Sequence, residues 1–203
     1  MTSLAKFKNS NERTSVKKKE MTVIFANNHD IDCETLPKIW EGQPNLTLIE
    51  IDKHSVDWEE KVEQAIESED DTLIFAGHGT ENGLLFPDFE KGIYILHENN
   101  VHLIHAKNVI CVWCYAANFC EANNLHAFAT SMFISNFVEA YDNCIYGYSD
   151  YDIKQNSKRF DCELGDLLDK KVPLNEWCER LISNMDANNA VDMFNREGLM
   201  YYE

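Results

Sequence analysis

Five short apolar runs limit what this chain can fold into. They are Thr22-Val23-Ile24-Phe25-Ala26, Leu46-Thr47-Leu48-Ile49-Glu50-Ile51, Thr72-Leu73-Ile74-Phe75-Ala76, Val109-Ile110-Cys111-Val112-Trp113 and Cys144-Ile145-Tyr146-Gly147-Tyr148. Their β-branched and aromatic content predicts strands, and the lack of strict apolar–polar alternation predicts strands covered on both faces. Helical patterns separate them. Asp57 and Glu60 form a candidate capping pair ahead of Trp58, Val62, Ala65 and Ile66, which recur at helical spacing. The segment from Ala127 to Tyr141 is apolar almost throughout and reads as a buried helix. Phe160, Leu164, Leu167 and Leu168 mark another helix, and Trp177, Leu181, Ile182 and Met185 a last one. Gly83 to Phe86 and Gly92 to Leu96 suggest small extra strands. Strands alternating with helices predict a three-layer α/β fold with a mainly parallel central sheet flanked by helices.

Composition narrows the partners. With 203 residues, 44% of them hydrophobic, the chain can bury a sizeable core. Residues 1–20 differ from the rest, with Lys6, Lys8, Arg13, Lys17, Lys18 and Lys19 against two acidic residues and hardly any large apolar side chain. They read as a basic, disordered tail, leaving residues 21–203 as one folded domain. The whole chain sets 18 Lys and Arg against 35 Asp and Glu, a net charge of −17. So acidic a protein repels phosphates, and no nucleic-acid partner is expected. No stretch approaches the ~20 apolar residues of a membrane span, and no apolar leader opens the chain. A cytoplasmic protein without membrane association is expected. Seven cysteines at irregular spacing do not suggest a disulfide framework and fit a reducing compartment.

In parallel sheets, ligands sit beyond the carboxyl ends of the strands. The third run leads directly into Gly77-His78-Gly79-Thr80 and the fourth into Cys114-Tyr115-Ala116-Ala117. If these strands are neighbours, His78 and Cys114 face each other across a cleft, their strands about 5 Å apart. A thiol attacks as thiolate, and an imidazole beside it can take its proton and return it to a leaving amine. In a working pair the Cys114 thiol is expected to ionise below the free-thiol value. Backbone N–H groups of Gly79 and Cys114 are candidate oxyanion donors. Small side chains at Ala116 and Ala117 would leave room for substrate beside the sulfur. Asn28, His29, Asp30, Ser149 and Asp150 end the first and fifth runs at the same edge. Among them, Asp30 and Asp150 are candidates for holding a cationic substrate side chain through a charge-assisted hydrogen bond.

Cys111, Cys114, Cys120 and His126 also offer soft metal donors. However, residues three apart on a strand point to opposite faces, so Cys111 and Cys114 cannot close on one ion. No metal site is expected there. Cys111, Cys120, Cys144, Cys162 and Cys178 read as packing residues, and His97, His102 and His105 lack a ligand pattern.

The runs Leu73-Ile74-Phe75-Ala76-Gly77-His78-Gly79 and Val109-Ile110-Cys111-Val112-Trp113-Cys114-Tyr115-Ala116 resemble the His-Gly and Cys-x-Ala strand ends of caspase-like (clan CD) cysteine peptidases. The resemblance spans roughly Thr22 to Tyr148 and is closest to bacterial CHAT-type domains, whose Gly-His-Gly end leads into a hairpin like Gly83-Leu84-Leu85. It implies a caspase-like fold and a cysteine endopeptidase working through a thioester acyl-enzyme. His78 would be general base and acid, Cys114 the nucleophile, and no metal or organic cofactor is needed. A protein or peptide substrate is implied, with a separately encoded activator as a further partner. No Gln-Ala-Cys-x-Gly surrounds Cys114, and Val112 stands where metacaspases place an aspartate, so neither true caspase identity nor the metacaspase preference for basic residues carries over. The alternative within the same group is a catalytically silent interaction domain.

Overall fold

The computed structural model describes residues 21–203, so the expected basic tail, residues 1–20, lies outside the described residues. In chain order the elements are β1 (Met21–Ala26), β2 (Leu46–Ile51), α1 (Trp58–Ser68), β3 (Thr72–Ala76), β4 (Gly79–Thr80), β5 (Gly83–Leu85) and β6 (Tyr94–Leu96). They continue with β7 (Asn108–Val112), α2 (Ala116–Ala122), β8 (Ala127–Ala129), α3 (Phe137–Asp142), α4 (Asp150–Asp169), α5 (Trp177–Ser183), α6 (Ala190–Glu197) and β9 (Met200–Tyr202).

The central sheet has six strands in the order β2-β1-β3-β7-β8-β9, all parallel except β9, which runs antiparallel to β8. A separate antiparallel sheet, β4-β5-β6, rises between β3 and β7 as two of the expected small strands plus one short partner. Side-chain alternation sorts the apolar runs into two cores. Ile24, Leu73, Phe75, Val109 and Cys111 face Val62 and Ile66 of α1 and Phe119 of α2. Val23, Phe25, Ile74, Ile110 and Val112 face Phe160 and Leu164 of α4 and Trp177 of α5. Burial on both faces is why these strands show no alternation in sequence. The expected three-layer α/β architecture is present at this level.

Several local expectations are corrected. Asp57 stands at the N-cap of α1 with φ 53°, and its side chain makes no cap bond. An N-cap reaches the helix amides from an extended backbone, which this left-handed residue lacks. The apolar segment Ala127–Tyr141 is not one helix. Phe128 and Ala129 pair with Ile110 and Cys111 of β7, and α3 begins only after Asn136, whose side chain accepts the Glu139 N–H. The run Cys144–Tyr148 forms no strand, because Cys144 (φ 60°) and Gly147 (φ 91°) turn the backbone out of extended geometry. Its place in the sheet is taken by β8. All seven cysteines are free, but Cys144 and Cys162 are exposed instead of packed. No helix among the described residues is long and apolar enough to cross a membrane.

The C-terminal elements are tied by charge. Arg196 of α6 is fully buried, with its guanidinium donating to Asp192 (2.9 Å), to both oxygens of Glu163 on α4 (2.7 and 3.1 Å) and to the Leu181 carbonyl of α5 (2.6 Å). Its flat face lies over the Phe160 ring at 5.7 Å. Arg159 adds a second ion pair to Asp192. Removing one member of such a network leaves the rest buried without partners, at a cost of about 3–5 kcal/mol. Arg196→Met is therefore expected to lower unfolding stability by about that amount, read from the urea midpoint.

Candidate active site

β3 and β7 pair at a constant offset, from Thr72 opposite Asn108 to Ala76 opposite Val112. The Gly77 N–H carries the ladder one step further, donating to the Val112 carbonyl at 3.2 Å. Ile74, Ala76, Ile110 and Val112 pack on the α4 face. The strand pairing proper ends at Ala76 and Val112, and His78 and Cys114 each stand two residues further on, in the turns that follow. Both line one small cavity, about 40 Å³, with Asp32, Cys33, Phe133 and Asp161 among its walls. Cys111 points to the other face and is buried against Cys120, as its strand position requires.

Two glycines make the close approach possible. At Gly77 the backbone takes φ 144° and a Cβ would lie 2.7 Å from the Ala26 carbonyl oxygen. At Gly79 a Cβ would fall 2.0 Å from Cδ1 of Trp113, the residue before Cys114. The Trp113 indole N–H in turn donates to the Thr80 carbonyl at 3.1 Å. The space at Gly79 is thus filled by the indole. The N–H of Gly79 remains suitable for the expected donor role. The Leu85 N–H bonds to the His78 carbonyl (2.8 Å), which makes Gly79 and Leu84 a non-hydrogen-bonded pair. The Gly79 N–H therefore points away from β5. Around Cys114, the Trp113 N–H is taken by Thr130 Oγ1 and the Tyr115 N–H by the Ser131 carbonyl, whereas the Cys114 N–H has no acceptor among the described residues. Tyr115 holds φ 67° at the turn from β7 into α2.

His78 is held from the loop after β1. Its Nε2 lies 2.8 Å from Asp30 Oδ2, and the Phe89 ring stands edge-on to it at 5.3 Å. Asp30 is fixed in turn, its Oδ1 accepting the Cys33 N–H at 3.1 Å. Partial burial works to raise the Asp30 pKa, but the imidazole and the Cys33 N–H outweigh it and hold the carboxyl below its ordinary value. Asp30 therefore orients the imidazole and is not free to meet a substrate cation as expected. The Cys114 S–H donates to the Phe133 carbonyl at 3.6 Å. Burial pushes this thiol up to about 11, with smaller additions from Glu139 and Asp32 and a Phe133 backbone bond in opposition. That is the reverse of the expected lowering.

The remaining expected residues lie elsewhere. Ala116 is wholly buried in the first turn of α2, within the core, and does not line the cavity. Asp150 opens α4 and its Oδ1 accepts the Phe137 N–H at 2.7 Å, tying α3 to α4 outside the cavity wall. Three residues not singled out from sequence border the site instead. Cys33 follows Asp30 by three positions, so the signal was the strand end already flagged. Glu139 accepts from both the N–H and the hydroxyl of Ser135 at 2.8 Å. Asp161 lies within α4, where only the helical spacing of its apolar neighbours is visible in sequence. A separate groove, about 860 Å³ beside Trp58, Glu63, Glu81 and Tyr94, contains no comparable pairing of thiol and imidazole.

No protein family, curated protein or solved structure matches this chain.

Asp161 generates a pH prediction. Burial raises its pKa to about 7 against the opposing Thr35 hydrogen bond, whereas the unfolded chain ionises it near 3.8. Between these values only the folded state keeps the proton, so stability falls as pH rises from about 4 to about 7 and levels off above. Asp161→Asn is expected to match the parent near pH 4 and to exceed it at pH 8 by roughly 1–3 kcal/mol in urea unfolding.

Proposed function

We propose that the chain is a caspase-like cysteine endopeptidase in which Asp30 orients His78, and His78 activates Cys114. The observation that carries this reading is the single small cavity that His78 and Cys114 both line beyond the paired ends of β3 and β7, together with the Asp30 hydrogen bond at 2.8 Å on the imidazole. With Nε2 engaged by Asp30, Nδ1 is the nitrogen left to work on the sulfur. The high thiol pKa makes a resting thiolate–imidazolium pair a minor state, so proton transfer to His78 accompanies attack on the scissile carbonyl. The bond formed is sulfur to carbon. The amine leaves with the proton from His78, and water, deprotonated by the same imidazole, then cleaves the thioester. N–H groups of Gly79 and Cys114 suit the oxyanion, a contribution worth ~2.7–4 kcal/mol per donor in measured enzymes. The carboxyl groups of Asp32 and Glu139 beside the cleft disfavour acidic substrate side chains. A protein or peptide is the substrate, no organic cofactor enters the chemistry, and a separate activator is a fitting partner, because substrate or activator must draw the thiol off the Phe133 carbonyl.

A second reading, a silent caspase-like interaction domain, is favoured by two observations. One is the thiol held protonated against Phe133. The other is an exposed aromatic patch of Phe137, Tyr141, Tyr146 and Tyr151, with Tyr141 and Tyr146 in edge contact at 5.5 Å. Such patches mark interaction surfaces.

Casein or mixed-peptide cleavage by the purified chain decides between them. Cys114→Ala and His78→Ala are expected to lose at least roughly 10³-fold in kcat/KM, and Asp30→Asn roughly 10–10³-fold, mainly in kcat. Cleavage unchanged in Cys114→Ala ends the peptidase reading. Labelling gives a separate check. Iodoacetamide at pH 8 should reach exposed Cys144 and Cys162 before Cys114, whereas a peptidyl chloromethyl ketone should alkylate Cys114 and fail on His78→Ala. Equal alkylation of both proteins favours the silent domain.

A further inference from the structure

The loop after β1 and the end of β3 bring together three donors of different chemistry. The ligand atoms of Asp30, Cys33 and His78 all lie within 4.8 Å of one another. A tetrahedral zinc ion, with bonds of about 2.0–2.3 Å, spaces mixed N, O and S ligands roughly 3.3–3.6 Å apart. The present contacts bracket that spacing. His78 and Asp30 stand closer, at 2.8 Å, and the sulfur lies within 4.8 Å of both, so a small parting of the first pair seats the ion. The donors are already ordered. Asn27 Oδ1 accepts the His29 N–H at 2.8 Å, and Asp30 Oδ1 accepts the Cys33 N–H at 3.1 Å, which fixes the turn that carries two of them. Cys33 is buried, and both it and His78 open onto the 40 Å³ cavity, a volume suited to an ion with one bound water. Thiolate, imidazole and carboxylate together favour zinc over magnesium or calcium, which prefer all-oxygen sites.

We propose that Asp30, Cys33 and His78 form a zinc site that holds the cleft inactive. Binding places zinc on His78 Nε2, on the Cys33 sulfur and on an Asp30 oxygen, with the fourth position open to water. The Cys33 thiol proton passes to solvent, and the ring proton leaves Nε2 for Nδ1. An Nδ1–H is a donor, so the imidazole can no longer accept the proton of Cys114. Asp30 at the same time leaves its orienting hydrogen bond. The inhibitory consequence rests on the peptidase reading, whereas the metal site does not.

The test uses the full chain stripped of metal and titrated with zinc against a chelating indicator, then with cobalt(II) for its spectrum. One equivalent of zinc at micromolar affinity or tighter is expected, as is a cobalt spectrum with a thiolate charge-transfer band and tetrahedral ligand-field bands. Cys33→Ser and Asp30→Asn should each weaken binding by at least roughly 10–100-fold with unchanged far-UV circular dichroism. Cys114→Ala should keep the metal. Wild-type affinity in Cys33→Ser, a cobalt spectrum without the thiolate band, or no binding at micromolar zinc overturns the site. In cleavage assays zinc should silence the parent, whereas Cys33→Ser, measured against its own zinc-free rate, should resist zinc. Zinc bound as described in a chain that cleaves nothing leaves the metal site standing and removes the peptidase reading. Cleavage with the same zinc response in Cys33→Ser does the opposite.

Discussion

The parallel pairing of β3 with β7 decides what can meet at the cleft. Side chains on neighbouring parallel strands at matched register share a face, and each residue of β3 stands opposite the one 36 positions later. His78 and Cys114 keep that separation, and both line the small cavity beyond the strand ends. A slip of one residue would carry one strand end a step out of line with the other. The pairing is protected against such a slip because both faces are buried. The wrong register would misplace the apolar sets of both strands at once.

The scaffold around this pair is anchored from three directions. The loop after β1 supplies Asp30 to the imidazole. The segment after β8 supplies the Phe133 carbonyl to the thiol, and Asn195 of α6 holds Ile134 beside it through bonds to its N–H and carbonyl of 2.7 and 3.0 Å. The Arg196 network then joins α6 to α4 and α5. A resting thiol bonded to Phe133 is thus coupled, through Asn195, to the most highly charged part of the core. Movement of the C-terminal helices has a direct mechanical route to the sulfur.

How much of this was legible in the sequence depends on the range of the interaction. Runs buried on both faces, such as Ile24 and Phe75 with their neighbours, announce strands through local composition, and the amphipathic spacing of Val62 and Ile66 announces α1. That His78 and Cys114 line one cavity was legible for the same reason, since both directly follow such runs. Elements shaped by distant partners were not. Phe128 belongs to a strand only because Ile110 lies beside it, and Tyr201 pairs with Phe128 from more than 70 residues away. The run Cys144–Tyr148 has strand composition, but two positive φ values break it. The role of Asp30 was assigned to a substrate because sequence shows a carboxylate at a strand end and not which neighbour reaches it first. Likewise a cysteine flanked by small residues suggests an activated thiol, yet its ionisation is set by how deeply the fold buries it.

The indole of Trp113 fills the volume that any side chain at position 79 would need, and its N–H grips the backbone of the next residue. Positions 79 and 113 therefore cannot drift independently. A bulkier residue at the first demands a smaller ring at the second, and that exchange would loosen the hairpin beside Cys114. In descendants of this chain the two sites should change as a pair or not at all, a coevolving lock set one residue away from the sulfur.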